Sequence, residues 1–255
     1  MRTFVKHNPA APPRFFAGEA AGLQWLSTSG GARCATVLDF DDTSLTLEYV
    51  ESGSPGAGAA RILGRRLAAT HDAGAPSFGA PPDGWTGPGY FGPLQQPLPM
   101  SYAEHASWGP FYAQERLSPM LERARPQLDH STAGNIEIIM KRCNAGQFED
   151  GETPARIHGD LWSGNVMWTD DEVVLIDPAA HGGHRETDLA MLHLFGCPHL
   201  DAVIDGYRDV HALAAGWRSR IGLHQLYPLL AHVVLFGGSY RGQVARAAQL
   251  TLEIS

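Results

Sequence analysis

The sequence predicts an α+β protein with two lobes of unequal size. Within residues 1–51, short runs of strand-like apolar residues surround one segment with helical spacing. A stretch rich in Gly, Ser and Pro follows at 52–58, and the rest of the chain shows mainly the apolar periodicity of helices. We therefore expect a strand-rich amino-terminal lobe at 1–51, a helical carboxy-terminal lobe at 52–255, and a cleft between them.

In the amino-terminal lobe, the pattern predicts one strand, one helix and one hairpin. The strand covers residues 3–6, and apolar residues at helical spacing cover 15–26. Two strand-like runs, 35–40 and 44–50, flank the turn-forming residues 41–43, Asp-Asp-Thr, as in a β-hairpin.

The first half of the larger lobe combines helices with a long loop. Helical spacing begins at residue 59 and ends near Gly74. Residues 74–99 are dense in Gly and Pro, and a loop of this length is commonly functional or mobile. The sequence Ser-Tyr-Ala-Glu at 101–104 resembles a capping box, in which serine and glutamate satisfy each other's free amides. It predicts helices at 101–125 and 131–148.

A second hairpin and a run of helices are predicted after residue 156. Two short apolar runs, 166–168 and 173–176, flank the turn-forming sequence Thr-Asp-Asp-Glu. Four helices follow in the pattern, at 187–195, 200–210, 223–236 and from 240 onward.

The composition is that of an ordinary globular protein, with 44% hydrophobic and 18% charged residues. The sequence suggests neither a run apolar enough for a membrane helix nor a secretory signal, so we expect a cytoplasmic protein with no membrane partner. The net charge of −8 and the lack of a basic stripe argue against nucleic acid as a partner. Cys34, Cys143 and Cys197 match no metal-ligand spacing, which favours small buried apolar residues over a disulfide framework.

One segment carries the pattern of a phosphotransfer site. His158, Asp160 and Asn165 are spaced as in the kinase catalytic loop, H-R-D-L-x-x-x-N, and Asp177 closes the strand of the hairpin that follows. Phosphoryl transfer needs a carboxylate that orients the attacking hydroxyl, and oxygen ligands for magnesium. The pattern predicts that Asp160 accepts the hydroxyl proton and that Asn165 and Asp177 hold Mg²⁺. His158 is predicted to brace the loop, and the fold is expected to be protein-kinase-like.

The amino-terminal lobe offers residues for the nucleotide in the matching order. Lys6 lies in a strand, and Glu19 lies in the helix that follows. In kinases the lysine that contacts the phosphates of ATP likewise precedes the helix glutamate that orients it. The hinge between the lobes would then be Glu48, Tyr49 and Val50, whose backbone is predicted to pair with adenine.

These motifs resemble the fructosamine kinase (ketosamine-3-kinase) family, relatives of the aminoglycoside phosphotransferases. The specific match is HGDLWSGN at 158–165, extended by IDPA at 176–179 and by GHRE-x-DLAM at 183–191. Shorter similarities almost span the chain, at 4–6, 19–23, 63–71 and 108–117. The resemblance implies phosphorylation of a sugar hydroxyl on a ketosamine, small or attached to a glycated protein, with ATP and Mg²⁺. It also implies that Trp162, His184 and Glu186 contact the substrate, and it leaves the sugar, the amine and the oligomeric state open.

The sequence departs from the family at its beginning. Kinases of this type have two strands joined by a glycine-rich loop before the lysine strand, and this sequence starts at that strand. We expect a truncated amino-terminal lobe and weaker ATP binding, either because the start codon is assigned too late or because this form is inactive.

Three alternatives to a ketosamine kinase remain open on the sequence. The first is a nucleotide-binding pseudoenzyme without activity. The second is a kinase for another small molecule, such as an aminoglycoside or choline. The third is a metal hydrolase, because His181, His184 and Glu186 are side chains that bind transition metals.

Overall fold

The structure, a computed structural model that describes residues 2–254, begins with a small lobe of strands around one helix. Its elements are β1 (Thr3–His7), α1 (Phe15–Leu26), β2 (Arg33–Cys34), β3 (Val37–Phe40) and β4 (Ser44–Glu48). Strands β1, β4 and β3 form an antiparallel sheet with β4 in the middle, and α1 contacts β3 and β4. The predicted strand, helix and hairpin are therefore confirmed.

Strand β2 joins this lobe to the rest of the protein. It pairs in parallel with β9 (Val173–Leu175), which pairs antiparallel with β8 (Val166–Trp168) in the predicted second hairpin. Beside this shared sheet, Arg33 of β2 forms an ion pair with Glu172 of the hairpin turn at 2.5 Å. The small lobe thus shares a sheet with the hairpin that precedes Asp177, and the lobe boundary at 51/52 stays a prediction.

The larger part of the structure is mainly helical, as predicted. Its helices are α2 (Ala57–Asp72), α3 (Trp108–Phe111), a π-helical segment (Tyr112–Leu117), α4 (Ser118–Ala124), α5 (His130–Asn144), α6 (Arg185–Leu194), α7 (Leu200–Arg208), α8 (Trp217–Phe236) and α9 (Arg241–Leu252). One apolar core lies among α1, α2, α6, α7 and the β8–β9 hairpin, and a second lies among α3–α5, α8 and α9.

Two glycines let α2 and α7 cross closely. A Cβ atom added to Gly64 would lie 1.9 Å from the Val203 carbonyl oxygen, and one added to Gly206 would lie 2.0 Å from that of Arg61. Any side chain at either position would force the helices apart, because packed interiors leave no room for a carbon atom at that distance.

The segment between α2 and α3 differs from its prediction. The capping box at 101 is wrong, because residues 101–107 are not helical and α3 begins at Trp108. The Ser101 hydroxyl instead accepts the Ala103 N–H at 3.0 Å, and its carbonyl accepts a bond from the buried Arg116 guanidinium. The predicted loop 74–99 contains a hairpin of β5 (Gly89–Phe91) and β6 (Leu98–Met100).

Two further strands, β7 (Ala155–Ile157) and β10 (His181–Gly183), were not predicted. They pair antiparallel on either side of the residues predicted to be catalytic. Each contains three residues, which is too short a run for an alternating pattern to appear in the sequence.

We expected no segment apolar enough to span a membrane, but one helical stretch is long and apolar enough when only length and composition are considered. The stretch Trp217–Leu252 contains a window with a mean hydropathy of 1.2, and 56% of that window is buried inside the protein. Helix α8 contacts α4, α6 and α9, so this apolar stretch belongs to the core.

Candidate active site

The segment that follows β7 is held by buried polar contacts around His158. The Nδ1 atom of His158 accepts the Asp160 N–H at 3.2 Å, and its Nε2 atom donates to the Ile176 carbonyl oxygen at 2.8 Å. Burial lowers the pKa of His158, which favours the neutral ring that these two bonds require. His158 does not line the cleft, so its contacts fit the predicted brace and not a direct chemical role.

Asp188 positions the same segment, and the sequence reasoning assigned it no role. Its carboxylate accepts the backbone N–H groups of His158 and Gly159 at 2.7 and 2.9 Å, and its Oδ2 atom lies 3.1 Å from Nε2 of His71. Burial raises the pKa of Asp188, but the bonds and charges of its partners outweigh burial and lower it. The only signal in the sequence was its place in the GHRE-x-DLAM match.

Asp160 and Asn165 meet at the floor of the interlobe cleft. The Nδ2 atom of Asn165 donates to the Asp160 carbonyl oxygen at 2.8 Å and lies 3.4 Å from its carboxylate. Burial, followed by the negative charge of Asp177, raises the pKa of Asp160 to about 7. The carboxyl group therefore titrates near neutral pH, where a general base is most effective.

Lys6 connects the two lobes at this point. Its Nζ atom lies 2.5 Å from Glu19 of α1 and 2.5 Å from Asp177, so the predicted approach of Lys6 to Glu19 is present. Burial lowers the pKa of Lys6, but the two carboxylates outweigh burial and raise it. Asp177 has a φ angle of 56°, a left-handed conformation that Asp and Asn tolerate better than most residues.

A cleft of about 520 Å³ contains these groups. Lys6, Glu19, Asp160, Asn165 and Asp177 are among the residues that line it. The β5–β6 hairpin and the end of α8 also line the cleft, with Tyr90, Phe91, Gly92, Pro93, Leu94, Gln95, His232, Leu235 and Phe236. The structure thus brings together the residues predicted for the proton, the metal and the phosphates.

The indole of Trp162 also lines the cleft, as its predicted substrate contact requires. Its side chain is 38% exposed although it packs edge-on against Phe195, with ring centroids 5.9 Å apart. An aromatic face is therefore available to a ligand beside Asp160.

The predicted hinge residues lie outside this cleft. The N–H of Glu48 donates to Thr36 and that of Tyr49 donates to Arg2, at 2.9 and 3.2 Å, so neither amide is free to pair with adenine. Val50 packs against the apolar core that lies among α1, α2, α6, α7 and the β8–β9 hairpin. The predicted pairing of this backbone with adenine is therefore wrong for the amides of Glu48 and Tyr49.

His184 and Glu186 are not in the cleft, which contradicts their predicted contact with substrate. Both are buried, and Glu186 binds the Arg220 guanidinium at 2.8 Å. Burial raises the pKa of Glu186, but bonds from His224 and Arg220 lower it to about 2. His184 instead caps α6, where its Nδ1 accepts the Glu186 N–H at 3.2 Å.

The same contacts argue against the metal-hydrolase alternative. Ligand atoms of His184, Glu186 and His224 do lie within 4.8 Å of one another. However, Arg220 supplies the positive charge beside Glu186, and both ring nitrogens of His184 already have partners, since Nε2 lies 3.2 Å from Asp150. His181 is not in this group and contacts the Ala179 carbonyl oxygen at 2.8 Å.

The part of the cleft around Asn165 fits a hard divalent cation. The amide nitrogen of Asn165 donates to Asp160, none of the described residues donates a hydrogen bond to its amide oxygen, and Asp177 contributes a carboxylate. Oxygen ligands of this kind suit Mg²⁺. Burial is the main cause of the raised pKa of Asp160, and the negative charge of Asp177, which a cation would offset, is the second.

We expect Asp160→Asn to stabilise the metal-free protein at alkaline pH. The pKa of Asp160 is about 7 in the folded protein, well above the usual 3.8 of an aspartate in an unfolded chain, so folding favours the protonated form. Stability is therefore lost as the pH rises from about 4 to 7. At pH 8 the free energy of unfolding of the variant should exceed that of the wild type by about 1–3 kcal/mol.

The measurement is urea unfolding in the presence of a metal chelator, at pH 8 and at pH 4. The difference between variant and wild type should disappear at pH 4, where the wild-type carboxyl group is also neutral. An equal difference at both pH values would show that burial and charge do not raise the pKa of Asp160.

The whole chain matches a known protein family. Residues 1–253 match the family model for fructosamine kinase. A protein of Synechocystis named a probable ketoamine kinase is 33% identical over 100% of this chain and 84% of its own length. The chloroplastic protein-ribulosamine 3-kinase of Arabidopsis thaliana is 32% identical over 93% of this chain and 72% of its own length.

Solved structures agree with this match. A crystal structure from Thermobifida fusca, described provisionally as a fructosamine-3-kinase, superposes with a TM-score of 0.90 at 48% identity and covers 98% of this chain and 85% of its own. An aminoglycoside phosphotransferase superposes with a TM-score of 0.60 at 15% identity, covering 97% of this chain and 86% of its own. The second similarity confirms the predicted protein-kinase-like fold.

Proposed function

Since the chain belongs to the fructosamine kinase family, whose members are phosphotransferases, we propose that it transfers the γ-phosphoryl group of ATP to a sugar hydroxyl of a ketosamine. The ketosamine is either a small molecule or part of a glycated protein. We propose the cytoplasm as the location of this reaction, as the sequence predicts.

The convergence of Asp160, Asn165, Asp177 and the Lys6–Glu19 pair in one cleft supports the proposal most strongly. Phosphoryl transfer depends mainly on positioning and on charge stabilisation, so a site for it must bring a carboxylate, metal ligands and a cation within reach of one triphosphate. These residues come from β1, α1 and the segment around β8 and β9, and they meet only in the folded chain.

Each residue has a separate task in this mechanism. Asp160 orients the acceptor hydroxyl and takes its proton as the oxygen attacks phosphorus. Lys6, held by Glu19, places its ammonium group on the phosphates of ATP. Asn165 and Asp177 would hold Mg²⁺, which neutralises phosphate charge when bound. His158 and Asp188 keep the backbone of Asp160 in place through buried hydrogen bonds.

The test is turnover by the purified chain with Mg²⁺ and ATP on four acceptors: a ribulosamine, a fructosamine, an aminoglycoside and choline. We expect ADP release with either ketosamine, and a product that is heavier by one phosphate in mass spectrometry. Turnover of the aminoglycoside or choline alone would replace the proposed substrate, and ATP binding without turnover of any acceptor would support the pseudoenzyme.

A further inference from the structure

The part of the cleft lined by the β5–β6 hairpin and α8 has a different chemical character from the part lined by the predicted catalytic residues. Among the described residues that line the cleft, the charged side chains Lys6, Glu19, Asp160 and Asp177 come from β1, α1 and the segments around β8 and β9. The lining contributed by the β5–β6 hairpin and by α8 consists of apolar, aromatic and neutral polar groups. A ligand that extends from Asp160 toward α8 therefore leaves the charged groups and meets aromatic ones.

A row of aromatic rings connects Trp162 with the end of α8. Beyond Trp162 and Phe195, the centroid of Phe195 lies 5.0 Å from that of His232, and the centroid of His232 lies 5.4 Å from that of Phe236. His232 and Phe236 are four residues apart in α8 and therefore project from the same face of the helix. The row thus connects Trp162, two residues after Asp160, with Phe236 at the end of α8.

Phe236 is unusually exposed for a residue in such a row. Its side chain is 55% exposed, more than any other large apolar side chain in the described chain, although it ends a largely buried helix. An exposed ring in a cleft offers a free face to a ligand, and such a face attracts cations as well as apolar groups.

His232 adds a hydrogen-bond acceptor to this row. Its Nδ1 lies 2.6 Å from the Pro228 carbonyl oxygen, and since a carbonyl can only accept, Nδ1 carries the proton. Burial lowers the pKa of His232, which favours the neutral ring. In a neutral ring with a proton on Nδ1, Nε2 is an acceptor.

The β5–β6 hairpin contacts both α8 and the small lobe. A Cβ atom added to Gly92 would lie 3.2 Å from the Leu235 side chain, so the hairpin turn contacts α8 closely. On its other side, the hairpin receives a hydrogen bond from the Asn8 side chain to the Leu94 carbonyl oxygen at 2.9 Å. The hairpin is therefore held next to α8 where both line the cleft.

We propose that His232 and Phe236 recognise the protonated amine of the ketosamine and thereby determine specificity for ketosamines over free sugars. The proposal rests on the proposed function for the identity of the substrate. Asp160, His232 and Phe236 line the same cleft, so a ketosamine bound with a hydroxyl at Asp160 holds its amine in the cleft that His232 and Phe236 line. The ammonium group lies over the ring of Phe236 and donates an N–H to Nε2 of His232.

This arrangement binds the amine without using a carboxylate of the cleft. Glu19 and Asp177 both form ion pairs with Lys6. Asp160 binds the hydroxyl of the substrate in the proposed mechanism. An aromatic face and a neutral imidazole can bind an ammonium group without adding negative charge to a cleft that must also accept the phosphates of ATP.

The experiment measures binding by calorimetry, which requires no turnover. The two ligands are Nε-fructosyl-lysine with a blocked α-amino group, and fructose, which has no amine. We expect the wild type to bind the ketosamine more tightly than fructose. Phe236→Ala and His232→Leu should each weaken ketosamine binding by about 3- to 30-fold and leave fructose binding unchanged. Phe236→Tyr, which keeps the ring, should retain the preference.

Phe40→Ala is the matched control, because Phe40 is 45% exposed in β3 and does not line the cleft. In steady-state kinetics, the two test variants should raise KM for the ketosamine with little change in kcat or in KM for ATP, a pattern that a general loss of structure would not produce.

The outcomes separate this inference from the proposed function. A wild type that prefers fructosyl-lysine but transfers no phosphate supports the inference and contradicts the proposed function. A wild type that phosphorylates fructosyl-lysine, with unchanged affinity in both test variants, overturns the inference alone. A wild type that binds fructose and fructosyl-lysine equally also overturns the inference.

Discussion

Asp160→Asn is expected to lower kcat by about 10²- to 10⁴-fold while nearly preserving the affinity for ATP. The carboxylate takes the proton of the attacking hydroxyl, and an amide of the same shape cannot. Because this interaction acts in the transition state, its loss appears in kcat and not in ground-state nucleotide binding. The measurements are steady-state turnover of a ketosamine and calorimetric binding of Mg²⁺-ATP.

The same variant is expected to be more stable than the wild type in the metal-free state, so a fall in turnover would not reflect unfolding. Asp171→Asn is the matched control, because Asp171 is exposed in the turn between β8 and β9 and should retain full activity. Near-normal turnover by the Asp160 variant would remove this residue from the mechanism and leave the catalytic loop without its base.

Asp177→Asn is expected to reduce kcat/KM by at least about 100-fold, and to do so partly through weaker binding of Mg²⁺-ATP. The change removes a charged oxygen ligand from a hard cation and one of the two carboxylates that hold Lys6. The backbone should not be disturbed, because Asn tolerates the φ angle of 56° found at this position.

The affinity of Asp177→Asn for ATP is best measured at increasing Mg²⁺ concentrations. Because the defect lies in metal binding, high Mg²⁺ should restore part of the activity, whereas it should not restore activity to Asp160→Asn. An Asp177 variant with wild-type affinity for Mg²⁺-ATP at low Mg²⁺ would exclude this carboxylate as a metal ligand.

The sequence by itself determined the central part of the candidate site. The spacing of His158, Asp160 and Asn165, with Asp177 at the end of the next hairpin, identified the loop because these residues are neighbours along the chain and their local geometry depends on a short segment. Periodicity likewise predicted α1 and the strands on either side of it, since their apolar patterns extend over several residues.

Only the tertiary structure decided which of the remaining polar residues face the cleft. GHRE follows the catalytic hairpin closely, yet His184 and Glu186 turn inward, because Arg220 and Asp150, distant in sequence, supply their partners. In the opposite sense, His232 and Phe236 lie in a helix that the sequence marks only as apolar, and they reach the cleft because α8 passes beside Trp162. Sequence patterns report which residues are buried or paired nearby, whereas the direction of a polar side chain depends on contacts between distant segments.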